Sequence, residues 1–190
     1  MYQSNRRRRI MVAAAALLCG PAAWGATDDD IHVKVDTRDG LVVVDVDFEV
    51  AASARDAWRV LTDFDGMPKF ISGVERSRVV ARSGRTWRVE QKGVSSAGPL
   101  SFSYDLVREI TLKPYSEIQA HALAGSMKKM DSLTRLTAGR GTTRVSYHAE
   151  SIPRTALPFG IGASFIESRT REQFAEMRAE ILRRAAAGRK

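Results

Sequence analysis

Few residues in this 190-residue chain have the type and spacing that chemistry demands. His32, His121 and His148 stand in three separate strand-like stretches. None has metal-ligand spacing to another histidine or to a helical carboxylate, so they read as surface or hydrogen-bonded structural residues. Gly160-Ile161-Gly162 precedes a helical stretch without the third glycine of a dinucleotide loop, and reads as a flexible lead into that helix. No nucleophile-elbow motif occurs. For proton transfer the candidates are Tyr104, Tyr147 and His121. Lys128 and Lys129 are adjacent on a predicted strand, so one should point to the core side. There it would meet an anionic headgroup or snorkel to the rim. The large apolar side chains are more informative. Phe70, Trp87, Phe102, Tyr104, Met127, Tyr147, Phe165, Phe174 and Met177 fall on predicted inward faces. Aromatics and methionines suit an adaptable apolar pocket, and they would equally fill a solid core.

The elements that must position these residues follow from periodicity. Residues 31–35 and 41–50 read as strands joined by Asp39-Gly40, a strong hairpin signal. In the second, Val44, Val46, Phe48 and Val50 alternate with Asp45, Asp47 and Glu49, so one face packs and the other meets water. Ser53 is a candidate N-cap with Asp56 three residues on, followed by Ala57, Trp58, Val60 and Leu61 at helical spacing. Asp65-Gly66-Met67-Pro68 should break that helix, with one short helical turn at 69–71. Six strand-like runs follow, at 77–81, 86–92, 100–112, 116–123, 127–136 and 143–152, separated by turn compositions. From about Gly162 the pattern is helical, with Ile166, Thr170, Phe174, Met177 and Ile181 in one stripe. Glu172 is placed to pair with Arg169, and Glu180 with Arg183 or Arg184. A curved antiparallel sheet needs cover on one face, and the last helix is the one element long enough to give it.

Residues 1–26 have the three parts of a cleavable secretory signal: Arg6 to Arg9, an apolar run at 10–18, and small residues around Ala23-Trp24-Gly25-Ala26. The apolar run is too short to span a bilayer. The expected mature domain is therefore 27–190, in a periplasmic or secreted protein. The formal net charge of +8 falls to +4 without the leader, with 26 basic against 22 acidic residues. With no basic stripe bearing interleaved aromatics, nucleic acid is not an expected partner. The single cysteine, Cys19, lies in the leader, so the mature chain would have neither a disulfide nor a thiolate site. No pattern calls for a cofactor or metal.

The run from Phe48 to Ser53, then Ala57 to Phe64, then Met67-Pro68-Lys69-Phe70-Ile71 and Val74 to Val79, resembles the START-like (SRPBCC) superfamily. Its polyketide cyclase/dehydrase and lipid-transport branch is the nearest, and coenzyme-Q-binding START-type proteins share the pattern most closely. The resemblance covers roughly residues 31–184. It implies an α+β helix-grip fold, a curved antiparallel sheet wrapped around a long C-terminal helix that stands off the sheet and leaves a cavity. It further implies a binding protein for a hydrophobic small molecule such as a lipid, an isoprenoid quinone or a polyketide-like compound. The Phe102–Tyr104 face would be the wall, and the Phe174–Met177 stripe the lid. Residues 65–70 and 153–162 would be the gate. A monomer with at most transient membrane contact is expected. A cyclase or aromatase enzyme using the same cavity is the alternative, and a protein-interaction domain is a third reading.

Overall fold

In the computed structural model, residues 30–97, 100–154 and 162–188 are described, without the side chains of Ala97, Leu100 and Phe102. The expected leader, 1–26, and most of the expected second gate segment, 155–161, lie outside the described residues. Asp39 and Gly40 both take positive φ, 50° and 79°. That is the backbone a two-residue hairpin needs, and it pairs Arg38 with Leu41 across β1 (His32–Arg38) and β2 (Leu41–Val50). Ser53 caps α1 (Ala54–Leu61) by accepting from the Asp56 amide at 3.2 Å. The expected helix break instead forms a 3₁₀ helix, Phe64–Lys69. Asp63 accepts the Gly66 amide at 3.1 Å, which starts a new turn where composition suggested a loop.

The meander then runs through β3 (Val74–Ser83), β4 (Thr86–Ala97), β5 (Leu100–Lys113), β6 (Glu117–Gly125), β7 (Met127–Ala138) and β8 (Thr143–Pro153). The eight strands form one sheet in the order β1-β2-β8-β7-β6-β5-β4-β3, with every pair antiparallel. Breaks in register occur in the β3–β4, β5–β6 and β7–β8 pairs. Such bulges raise local twist and let a sheet curl. The concave face takes α2 (Ala163–Ala187), which buries Phe174, Met177, Ile181 and Ala185. This is the helix-grip arrangement. Among the described residues no helix is long and apolar enough to cross a membrane.

One cluster ties α2 to the junction between α1 and the 3₁₀ helix. Glu180 accepts from Arg183 Nε at 2.6 Å and from Arg184 Nε at 2.6 Å. Arg184 also donates to Asp63 at 2.8 Å. The hydrogen bond from Arg183, with that from Arg184, holds the Glu180 carboxyl down at about 2, below its ordinary 4.5. A depressed carboxylate adds stability above its ordinary pKa and loses it as pH falls toward the folded value. The shift bounds the effect at about 3 kcal/mol, and solvent screening of the exposed Arg183 lowers it to about 1–2 kcal/mol. Urea titrations should therefore find Glu180→Gln weaker than the parent by that amount at neutral pH. The two should converge as pH falls from 4.5 toward 2, and a gap independent of pH would contradict this role.

Candidate ligand-binding site

Alternation along the central strands fixes what faces α2. Tyr147 on β8 lies opposite Thr134 on β7, and Ala149 opposite Ser132. Ala120 on β6 lies opposite Ser132 and Ile110 on β5. On β4, Gln91 faces inward beside Leu106. Between these strands and α2 is a cavity of about 100 Å³. Its apolar wall comes from Leu61, Phe64, Met67, Ile110, Ile118, Phe174 and Met177, and its polar lining from Gln91, Arg108, Ser132, Thr134, Tyr147 and Gln173. Phe174 sits at the junction of the layers, its ring 5.1 Å from that of Tyr147 and 5.9 Å from that of Phe48.

Of the nine apolar side chains singled out from the sequence, Tyr147, Phe174 and Met177 meet at this cavity. Trp87 packs edge-on against Phe64 at 6.2 Å and carries the Arg82 guanidinium on its face. Phe70 lies under the Arg184 guanidinium. Met127 and Phe165 are half-buried at the first residues of β7 and α2. The Phe102 side chain lies outside the described residues. Tyr104 lies over Gly93 and donates a long hydrogen bond, 3.5 Å, to the Gly73 carbonyl.

The proton-transfer candidates separate. His121 is exposed, with Nδ1 2.6 Å from Asp131, and His148 is 2.7 Å from Asp45. Among the described residues no group of three or more His, Cys, Asp or Glu side chains could hold a metal. Lys128 and Lys129 are both exposed, because the bulge between Met127 and Lys129 interrupts the alternation, and Lys129 pairs with Glu150 at 3.5 Å.

The cation that does face the cavity is Arg108. Its Nη2 donates to Gln91 Oε1 at 2.6 Å, and Gln91 Nε2 in turn donates to Ser77 Oγ at 3.4 Å. Its Nε is buried without a hydrogen-bond partner. The side chain as a whole is half-buried and lines the cavity. Burial lowers its pKa, opposed by the nearby Tyr147 and Tyr104. Burial also raises both tyrosines, against the pull of Arg108, so neither supplies a negative charge at neutral pH. Among the described residues no carboxylate forms an ion pair with Arg108. The sequence held a signal for it: the alternation of Tyr104 and Leu106, carried on, turns Arg108 and Ile110 inward.

Among curated proteins no relative matches. Solved structures match in fold. The Zhui aromatase/cyclase from Streptomyces sp. R1128 is 15% identical with a TM-score of 0.62, covering 79% of this chain and 96% of that one. A STAR-related lipid transfer protein from Xanthomonas axonopodis is 13% identical with a TM-score of 0.63, covering 80% and 99%. A START superfamily protein from Mycobacterium smegmatis is 16% identical with a TM-score of 0.59, covering 76% and 97%. By sequence, the family described as polyketide cyclase / dehydrase and lipid transport matches residues 50–178. That match spans more than half of the chain, so the chain belongs to the polyketide cyclase/dehydrase and lipid-transport family.

Proposed function

We propose that this chain is an exported carrier that holds a hydrophobic small molecule between the sheet and α2, in the periplasm or outside the cell. The observation that carries the reading is the cavity, walled by Met67, Ile110, Ile118, Phe174 and Met177. Burying an apolar ligand there yields about 25 cal/mol per Å² before ordering costs. The volume limits what fits. Drug-sized ligands occupy pockets of roughly 300–1,000 Å³, and this cavity holds about 100 Å³. A small ligand fits as the chamber stands. A longer lipid or quinone needs the 3₁₀ helix or α2 to shift, and Met67 and Phe174 belong to those two walls. Export rests on Arg6 to Arg9, the apolar run after them and the small residues near Ala26.

The test expresses the full chain in a bacterial host, fractionates it, sequences the N terminus of the product and extracts the purified protein for mass spectrometry. A periplasmic product starting near residue 26 or 27, with an apolar small molecule recovered repeatedly, is the expected result. A cytoplasmic product with an intact leader would refute export. No extractable ligand, together with no binding of the neutral probe N-phenyl-1-naphthylamine, would refute the carrier.

A further inference from the structure

Resting on the carrier reading, we propose that the ligand is a monoanionic amphiphile whose carboxylate is received by Arg108 inside the cavity. A guanidinium that lines a cavity with its Nε buried is costly unless a counter-charge or a full set of acceptors meets it. Arg108 has five N–H donors. Among the described residues it makes one hydrogen bond, to Gln91, and its Nε has none. The interior polar groups are placed so as not to neutralise it. Gln91 is an uncharged amide, Tyr147 and Tyr104 are neutral phenols, and Ser132 and Thr134 are hydroxyls. Other arginines of the chain contrast with this: Arg183, Arg184, Arg144 and Arg171 each meet a carboxylate within 3 Å.

The charge count selects the class of acid. Among the described residues lining the cavity, Arg108 is the one cation. One guanidinium balances a single negative charge, whereas a doubly charged phosphate monoester would leave a second charge buried. A carboxylate also matches the planar donor fork of a guanidinium. The apolar wall formed by Ile110, Ile118, Phe174 and Met177 then takes the ligand's hydrocarbon part. In this arrangement the acid group lies deep and the tail toward the closing elements, the reverse of a lipid held by its head at the surface.

The experiment compares octanoate, 1-octanol and octyl phosphate by displacement of the neutral probe N-phenyl-1-naphthylamine, in the parent and in Arg108→Met and Arg108→Lys. The expected result is octanoate at least tenfold tighter than octanol in the parent. Arg108→Met should abolish that preference, and Arg108→Lys should restore part of it. Arg108→Met should also unfold at a temperature no lower than the parent, since it removes a buried charge without a counter-ion. Equal binding of octanoate and octanol, or a preference for octanoate that survives Arg108→Met, would overturn the assignment while leaving the carrier intact. Tighter binding of octyl phosphate than of octanoate would overturn the choice of a carboxylate. If the parent binds neither the probe nor any of the three compounds, the carrier reading itself fails. If Arg108→Met does not fold, the parent's preference and the Arg108→Lys variant still decide.

Discussion

Phe174→Ala is expected to destabilise the protein by about 3–5 kcal/mol, the range for removing a large buried aromatic side chain. Phe174 is 6% exposed and touches three things at once. Its ring packs on Tyr147 and on Phe48, which joins α2 to β8 and β2, and its edge walls the cavity. Truncation therefore removes apolar contacts and enlarges a chamber that already exists, so little of the void can collapse. The loss is measured by urea unfolding. The same variant is expected to regain part of its stability in the presence of toluene, because a ligand that fills the native cavity shifts the unfolding equilibrium by mass action. A loss below about 1 kcal/mol would mean that α2 is held by its ends and that Phe174 does not join the layers.

Gly93→Ala is expected to be as damaging for a different reason. A Cβ at residue 93 would lie 2.0 Å from the Gly73 carbonyl oxygen and 2.5 Å from the Tyr104 hydroxyl. The first of these is backbone, and it is held in place because it accepts from the Val94 amide at 2.9 Å. The β3–β4 pair must separate there to admit even a methyl group. We expect a loss of at least about 3 kcal/mol, a fall of roughly 6–12 °C in Tm for a domain of this size. Adding Tyr104→Ala should not rescue it, since the carbonyl clash remains. Rescue by that second change would show that the tyrosine, and not the backbone, sets the close approach.

These two positions illustrate what could be read in advance. Phe174 is legible: Ile166, Thr170, Phe174, Met177 and Ile181 recur at helical spacing, and a stripe of that kind has to be buried against something. Gly93 is not legible, because its neighbour is a carbonyl 20 residues away in sequence, brought close by the start of β3. Arg108 lies between these cases. Alternation in β5 turns it inward, but an arginine on an inward face usually finds a carboxylate. Only the packed sheet shows that the groups around it are an amide, phenols and hydroxyls. The Lys128–Lys129 pair misleads for a local reason, since a bulge cancels the period of two on which the expectation rested. The 3₁₀ helix at Phe64–Lys69 arises because Asp63 caps a turn that glycine and proline composition marks only as a break.

By itself the sequence determined the element order, the inward and outward faces of most strands and the buried stripe of α2. Each depends on periodicity within one element, which local composition records. The same local patterns carry the resemblance to the START-like superfamily, and the match over residues 50–178 agrees with it. The tertiary structure decided which inward residues meet. Tyr147, Phe174 and Met177 share a cavity, while Trp87 and Phe70 pack elsewhere. It also decided the cavity's volume of about 100 Å³ and, among the described residues, its one lining cation, Arg108. Volume and charge balance depend on the distance between layers and on neighbours far apart in sequence, and no single element carries that information.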